Sequence, residues 1–216
     1  EIGRVDGMGE GEQIYAVRFL GDTAYVVTFR QVDPLYTVDL SDPAAPAVVG
    51  ELKIPGYSAY LHPVSEGRLL GIGQDATDEG MVQGSQVSLF DVSDLASPVR
   101  LDTVTLSEGT TSQVEYDHHA FLYWPATNLL VVPLNRYPGP ADRARAPAHG
   151  ALALRVTDDG LTELGTIDHA GAPDSPYGDP LRRSLVLDGV LWTFSETTAK
   201  ATDLTTMTSL GLLRLT

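Results

Sequence analysis

The sequence contains no cysteine. Disulfide bridges, thiolate nucleophiles and zinc–thiolate sites are therefore excluded from its chemistry. An oxidising compartment stays open, because a chain of 216 residues can bury enough surface to be stable without cross-links. No apolar run approaches the roughly 18 residues that a membrane-spanning helix needs. No convincing helical periodicity appears after residue 12.

Basic residues are also scarce, with 14 Lys and Arg against 29 Asp and Glu and a net charge of −15. A surface this acidic repels phosphate backbones, so nucleic-acid binding is disfavoured. The charge suits cation binding or simple solubility. Hydrophobic residues at 43% and charged residues at 20% predict a packed globular domain.

Motifs of the familiar enzyme classes are missing. The chain has no G-x-S-x-G sequence for a nucleophilic serine. Its GIG at 71–73 lies within a predicted strand and no helix follows it, which excludes a dinucleotide fingerprint. Paired carboxylates could be proposed anywhere in so acidic a chain, so they carry no specificity for glycoside hydrolysis. The sequence therefore favours a protein without catalytic activity.

A repeated segment is the main feature that the sequence does contain. Residues 84–106, GSQVSLFDVSDLASPVRLDTVTL, read as strand, turn and strand, and residues 33–56 are an earlier copy. Two weaker copies follow later in the chain. The same position in the turn between the two strands of each copy is occupied in order by Asp42, Asp94, Asp158 and Thr206. The intervals are 52, 64 and 48 residues (94 − 42, 158 − 94 and 206 − 158). Periods of about 50 residues with several short strands are typical of propeller blades.

Each repeat divides into four strands, which predicts an all-β fold: a β-propeller of four-stranded antiparallel blades, with four blades in this chain. The predicted blades are 13–56, 57–109, 117–169 and 180–216. Residues 1–12 read as a linker and the end of a preceding strand, and 137–149 read as an exposed loop.

The residues in the turns match the backbone conformations that such turns need. The first hairpin of each blade should use Gly, Asn or Asp at positive φ, in Gly21-Asp22, Ser65-Glu66-Gly67, Ala126-Thr127-Asn128 and Asp188-Gly189. In the later turns DLSDPAAP and DVSDLASP, the second Asp is expected to bond its own backbone in an Asx-turn.

Several stretches are similar to a known family. They are residues 11–63, GEQIYAVRFLGDTAYVVTFRQVDPLYTVDLSDPAAPAVVGELKIPGYSAYLHP, and the later GIGQDATDEG, SLFDVSD, YDHHAFLYWP and RRSLVLDGVLWTFS. They resemble a bacterial and archaeal family of secreted proteins whose C-terminal β-propeller is distantly related to WD-type repeats. The resemblance covers residues 9–216. It implies a propeller and a secreted or cell-surface location, with this chain as the C-terminal portion of the family's domain. It implies no activity.

The two ends of the chain bear on whether its four blades close into a ring. The first residue is Glu1 and not Met, so we expect a piece of a longer or processed protein. Four blades taken from a larger ring would leave strand edges and apolar blade faces exposed. The expected partners are further propeller blades or another copy of the chain, although four blades could also close into a small ring.

The first strand of each blade should line the central channel, where propellers often bind ligands at one mouth. Aligning these strands by their hairpins places one residue from each blade at the same level: Tyr15, Tyr57, His119 and Arg182. Neighbouring channel positions hold Arg18, Tyr60, Asp117 and Arg183. Strand alternation predicts that Asp117 and His119 share a face while His118 points away. His62 is expected at the far end of its strand, next to the hairpin and away from His119.

These residues predict a ligand-binding site at the propeller mouth, and the favoured function is an extracellular binding or scaffold module for a protein or small-molecule ligand. An alternative function is a hydrolase or lyase, with or without a metal ion, that uses Asp117, His119 and Arg182 at the same mouth. A structural alternative is that the polar groups bond one another and fill the channel.

A calcium site is the remaining candidate. The loop QDATDEG at 74–80 is the densest acidic loop of the chain. Asp75, Asp78 and Glu79 offer the hard oxygen ligands that Ca²⁺ prefers. The loop lacks the regular spacing of an EF-hand, so it would be a site of another kind.

Overall fold

A computed structural model describes residues 1–29, 33–77, 79–136, 148–169 and 179–215. The regular structure of these residues is β-strand, apart from two short 3-10 turns. The strands form four antiparallel sheets, each built on four strands in sequence order, which confirms the predicted all-β blade architecture. The chain divides into two compact units, Glu1–Glu108 and Gly109–Thr216.

The first unit contains two four-stranded sheets. The first sheet consists of β1 (Gln13–Leu20), β2 (Thr23–Phe29), β3 (Asp33–Asp39) and β4 (Ala47–Ile54). The second consists of β5 (Tyr57–Ser65), β6 (Arg68–Ala76), β7 (Val82–Asp91) and β8 (Val99–Thr105).

The second unit contains the other two sheets. Its first sheet consists of β10 (Leu122–Trp124), β11 (Leu129–Arg136), β12 (Ala148–Val156) and β13 (Leu161–Asp168), with the short β9 (Thr110–Ser112) paired to β11. The two 3-10 turns, Gln113–Glu115 and His118–Ala120, lie between β9 and β10. Its second sheet consists of β14 (Arg183–Leu187), β15 (Val190–Phe194), β16 (Thr198–Asp203) and β17 (Ser209–Arg214).

The beginning of the third sheet corrects one sequence prediction. The strand alternation predicted for Asp117, His118 and His119 places a continuous first strand over residues 118–125. In the structure His118–Ala120 is a 3-10 turn and the strand is reduced to Leu122–Trp124. The reason is local, because the side chain of Asp117 accepts a hydrogen bond from the backbone N–H of His119 and starts a turn there.

The predicted turn chemistry is confirmed in both kinds of turn. Positive φ occurs at Gly21, Gly67, Asn128 and Asp188 in the first hairpins of the four sheets. In the later turns, Asp42 accepts a hydrogen bond from the backbone of Ala44 at 2.9 Å, and Asp94 accepts one from Ala96 at 3.0 Å. These Asx-turns satisfy backbone donors where the ladder is interrupted.

Middle strands supply most of the core. The central residues of β2, β6, β7 and β11 are buried on both faces, which agrees with the short continuous apolar runs of β2 and β11. In the first unit the core joins both sheets through Val27, Leu69 and Phe90. In the second unit it joins both sheets through Val131, Ala153 and Leu191.

A shared irregularity occurs between the third and fourth strands of every sheet. The register shifts there at Thr37/Val38, Leu89/Phe90, Ala153/Leu154 and Ala201/Thr202. In three sheets a glycine of the fourth strand lies beside the shift: Gly50, Gly165 and Gly211. Such a bulge generally bends the strand that carries it.

The two remaining predicted segments are partly described. Residues 1–12 contain no strand, and Val5 and Met8 pack against a cluster of the first sheet that includes Val26 and Tyr36. Of the predicted loop 137–149, residues 137–147 lie outside the described residues, while Ala148 and His149 begin β12. Within the described ranges, no helix has the length and apolar character needed to cross a membrane.

Candidate functional site

Aromatic rings gather at the start of the two first strands of the first unit. The ring of Tyr15 lies 4.5 Å from that of Tyr57 and 5.7 Å from that of Phe29, between centroids. Phe29 and Tyr57 are 4.9 Å apart. The register of β1 shifts between Ile14 and Ala16, and such a bulge re-aims the side chain that it carries. We call Tyr15, Phe29 and Tyr57 the aromatic cluster, and its outermost ring, Tyr15, is 40% exposed.

Three further side chains of the same two strands interact. The hydroxyl of Tyr60 lies 3.2 Å from Nδ1 of His62. Burial, together with the positive charge of Arg18, lowers the pKa of His62 to about 4. Burial raises the pKa of Tyr60, against the opposing effect of Arg18. Nε of Arg18 is buried without a hydrogen-bond partner among the described residues. The sequence predicted Arg18 and Tyr60 together but did not include His62, whose two-residue spacing from Tyr60 was the available signal.

A second group of polar side chains lies in the second unit, around Asp117. Its Oδ2 accepts a 2.7 Å hydrogen bond from Arg183. Its Oδ1 lies 3.0 Å from the backbone nitrogen of His119 and 3.1 Å from Nδ1 of the same residue. The hydrogen bond from Arg183, followed by that from the His119 backbone, lowers the pKa of Asp117 to about 2. The predicted proximity of Asp117 and His119 is therefore confirmed.

The direction predicted for His118 is wrong. The rings of His118 and His119 lie 4.1 Å apart between centroids. One ligand atom from each of Asp117, His118 and His119 can be chosen so that all three lie within 4.8 Å of one another. The prediction failed because it assumed strand alternation, whereas these residues form a 3-10 turn preceded by an extended Asp117.

The two adjacent arginines have different partners. Arg183, the first residue of β14, contacts Asp117. Arg182 donates a 2.9 Å hydrogen bond to Glu196 instead. The hydrolase or lyase interpretation had grouped Arg182 with Asp117 and His119, and the structure brings Arg183 to that carboxylate.

The sequence predicted that four residues of the first strands lie at one level: Tyr15, Tyr57, His119 and Arg182. The structure describes the neighbours of these residues only within each unit. Tyr15 and Tyr57 lie together in the first unit, and Asp117, His119 and Arg183 lie together in the second. That all four first strands share one axis stays a prediction, as does the separation of His62 from His119.

The calcium prediction depends on a residue outside the described ranges, Asp78. Around it, the backbone N–H of Thr77 donates a 2.9 Å hydrogen bond to the carbonyl oxygen of Met81, and Gly80 has a positive φ of 81°. Asp75 is half-buried and Glu79 is exposed. The calcium site stays a prediction.

A buried polar network was missed by the sequence reasoning. His169 contacts the hydroxyls of Thr198 at 2.8 Å and Thr193 at 2.7 Å. The carboxylate of Asp179 accepts hydrogen bonds from Ser195 at 2.5 Å and from Thr197 at 2.5 Å. The Ser195 and Thr198 hydroxyls are 2.7 Å apart and join the two halves. No motif marks these residues, because their sequence spacing is irregular.

The same network explains two shifted pKa values. Burial and the positive charge of Lys200 lower the pKa of His169 to about 4, against the opposing charges of Asp179 and Asp168. Burial raises the pKa of Asp179, but hydrogen bonds from Ser195, Thr197 and Glu196 outweigh this effect and leave the pKa lowered. Although Asp, His and Ser are all present, Ser195 contacts Asp179 and both ring nitrogens of His169 contact threonines, so the arrangement stabilises the blade and is not that of a Ser–His–Asp triad.

The comparison with protein families agrees with the fold. A family model described as Beta propeller domain matches residues 1–207. The four sheets have the antiparallel, sequential strand order of propeller blades. The chain therefore belongs to the Beta propeller domain family.

Two archaeal relatives are much longer than this chain. An uncharacterized protein of Methanocaldococcus jannaschii is 35% identical over 194 residues, which are 90% of this chain and 27% of that protein. An uncharacterized protein of Archaeoglobus fulgidus is 50% identical over 121 residues, which are 56% of this chain and 18% of that protein. The chain thus spans about a quarter of the length of the first relative and less than a fifth of the second.

A solved structure shares the fold at low sequence identity. The X-ray structure of a hypothetical selenium-binding protein from Sulfolobus tokodaii matches with a TM-score of 0.53 and 10% identity. The match covers 94% of this chain and 50% of that one. At this identity the likeness concerns the fold alone.

Proposed function

We propose that this chain is a binding module, part of a secreted or surface-attached β-propeller that presents a site for a protein or small-molecule ligand. The aromatic cluster is the observation that carries the proposal. It brings together Tyr15 and Tyr57, near the start of β1 and β5, and Phe29 at the end of β2, with Tyr15 open to solvent. Exposed rings of this kind supply a large contact area together with a polar hydroxyl.

The chemistry of the cluster favours binding over catalysis. Its centroid distances of 4.5 to 5.7 Å and tilted or edge-on planes hold the rings in a fixed arrangement. Ring faces give affinity through burial and stacking and transfer no proton. A ligand with a flat apolar or weakly polar surface, such as a sugar ring or a proline-containing peptide, fits such a platform.

The proposal includes further blades that pack against the fourth sheet. Leu185, Leu187 and Leu213 lie on one face of that sheet by register and are 41%, 58% and 58% exposed. A contiguous apolar face is costly in water and marks a contact surface. Because the relatives are several times longer than this chain, the proposed occupant is a further blade of the same polypeptide, and a second copy of the chain is the competing occupant.

A fragment screen by saturation-transfer NMR tests the binding function. Small aromatic, sugar and peptide fragments are screened against the wild type, Tyr15→Ala and Tyr57→Ala. Tyr116→Ala is the matched control, because Tyr116 is a 78% exposed tyrosine of the second unit. We expect mutually competing fragments whose binding is lost in Tyr15→Ala and Tyr57→Ala and kept in Tyr116→Ala. Fragments that bind all variants equally, or no binding at all, would contradict the proposal.

A further inference from the structure

The side chains around the second 3-10 turn have the composition of a metal site. Asp117 offers a carboxylate oxygen and His118 and His119 each offer an imidazole nitrogen, with the three ligand atoms within 4.8 Å. We propose that this cluster binds a divalent transition-metal ion of the Zn²⁺ type. This site lies in the second unit and is independent of the aromatic cluster in the first.

The ligand set selects the class of ion. Imidazole nitrogens suit Zn²⁺, Cu²⁺, Ni²⁺ and Co²⁺, whereas Ca²⁺ and Mg²⁺ prefer oxygen ligands. Two imidazoles and one carboxylate leave at least one position for water or another ligand, as in open zinc sites. The predicted calcium loop at 74–80 offers carboxylate oxygens, so it would prefer Ca²⁺ to these transition-metal ions.

Binding of a zinc ion would require only a small movement of the three side chains. Zn²⁺ binds nitrogen and oxygen at about 2.0–2.2 Å, so neighbouring ligand atoms are about 3–3.5 Å apart. The present separations of up to 4.8 Å therefore need to close by roughly 1–2 Å. The side chain of His119 is 66% exposed and His118 is exposed as well, so the two imidazoles can rotate towards the Asp117 carboxylate with little hindrance from packing.

Local structure already fixes the backbone that carries the ligands. Asp117 bonds the backbone nitrogen of His119 at 3.0 Å. The turn is closed by hydrogen bonds from Ala120 to the carbonyl of Asp117 at 3.0 Å and from Phe121 to that of His118 at 3.2 Å. An ion bound at Oδ1 would replace the contact between this oxygen and Nδ1 of His119 and leave the backbone bonds in place.

Arg183 has two opposing effects on such an ion. Its 2.7 Å hydrogen bond to Oδ2 orients the carboxylate and leaves Oδ1 directed towards His119, which is how hydrogen-bond donors commonly hold a metal-binding carboxylate. Its positive charge repels a cation. The side chain of Arg183 is 48% exposed, so solvent screens much of that repulsion.

Titration of the protein with zinc tests the proposal. Tag-free, EDTA-treated protein is titrated with ZnCl₂ by calorimetry for the wild type, His118→Ala and His119→Ala. Glu196→Gln is the matched control, since it removes an exposed carboxylate of the same unit outside the cluster. We expect one ion per chain, an affinity at least about tenfold weaker in each histidine variant, and no change in Glu196→Gln.

A spectroscopic measurement separates ligation from indirect effects. Cu²⁺ electron paramagnetic resonance should show two nitrogen ligands in the wild type and one in His119→Ala, with unchanged circular dichroism in EDTA showing that the variant is folded. No saturable zinc binding below about 100 µM, at the weak end of the affinity scale, would overturn the proposal. Equal affinity in the wild type and both histidine variants would overturn it as well.

Discussion

Asp117 accepts a 2.7 Å hydrogen bond from Arg183, which lies 66 residues further along the chain. The contact joins the turn before β10 to the first residue of β14, so it connects the beginnings of two successive blades within the second unit. The sequence placed both residues at neighbouring channel positions, because equivalent first strands of neighbouring blades lie side by side, but it grouped Arg182 and not Arg183 with Asp117 and His119. The carboxylate also starts the turn that carries both histidines.

Replacing Asp117 should therefore have two separable effects. Asp117→Asn keeps an oxygen that can accept the hydrogen bond from the His119 backbone but loses the negative charge facing Arg183. Asp117→Ala loses both interactions. We expect the melting temperature to fall more in Asp117→Ala than in Asp117→Asn, with a small change in the latter because the ion pair is solvent-exposed. An equal fall in both variants, measured by differential scanning calorimetry, would show that the helix-capping bond contributes nothing.

Acid should destabilise the second unit through His169. Its pKa is lowered from 6.5 to about 4 by burial, so the folded state disfavours the protonated ring. The stabilisation is fully present above pH 6.5 and is lost as the pH falls through about 4. The free energy of unfolding should decline over that interval by at most about 1.4 kcal/mol per pH unit for this histidine.

Urea unfolding at several pH values measures this effect. His169→Gln, which has no group titrating in the interval, should show a shallower decline than the wild type. His62, whose pKa is also lowered to about 4, remains in that variant and accounts for a residual slope. A wild-type slope retained in full by His169→Gln would contradict the assignment.

The buried carboxylate of Asp179 should be important for stability. Its side chain is 3% exposed and accepts hydrogen bonds from Ser195 and Thr197. Asp179→Ala leaves those hydroxyls without their acceptor, and we expect a loss of about 2–3 kcal/mol. Asp159→Ala, which removes an exposed carboxylate in the turn between β12 and β13, is the control and should change stability little. Equal stability of the two variants in chemical denaturation would refute the prediction.

Gly50 and Gly211 hold equivalent positions in the fourth strands of the first and fourth sheets. Substituting them tests how closely other atoms cover each strand. A Cβ on Gly50 in β4 would lie 2.1 Å from the carbonyl oxygen of Leu95 and 2.6 Å from Oγ1 of Thr37. A Cβ on Gly211 in β17 would have no described atom within 4 Å. Gly50→Ala should therefore destabilise the chain strongly, by about 2 kcal/mol or more, while Gly211→Ala is tolerated.

The same pair tests the proposed occupant of the fourth sheet. If the polypeptide continues with a further blade that covers β17 as the second sheet covers β4, Gly211→Ala should lower the melting temperature of that longer polypeptide much more than that of residues 1–216 alone. Equal effects in the two proteins would contradict a covering blade at that position. Light scattering of this chain alone shows whether a second copy takes that place instead.

The sequence predicted the repeated parts of the molecule well. Asp42 and Asp94 form the expected Asx-turns, and Asn128 and Asp188 have the expected positive φ. These features depend on neighbouring residues, so a single sequence reveals them. The pairing of Tyr15 with Tyr57 followed from aligning two first strands by their hairpins.

The predictions that failed and the contacts that were missed have two causes. They depend on a local departure from strand geometry or on residues that are far apart in the sequence. His118 was assigned the wrong direction because a side-chain hydrogen bond from Asp117 replaces the strand with a turn. The network of His169, Thr198 and Asp179 was missed because its members come from three separate segments and their polar character has no periodicity. Such contacts become visible only when the strands are placed in three dimensions.

A crystal structure of the chain with the strongest fragment from the NMR screen tests the binding function most directly. We expect the fragment to stack on Tyr15 and contact Tyr57, at the start of β1 and β5. A fragment that binds elsewhere, with the rings of Tyr15, Phe29 and Tyr57 remaining uncovered, would contradict the proposed binding function.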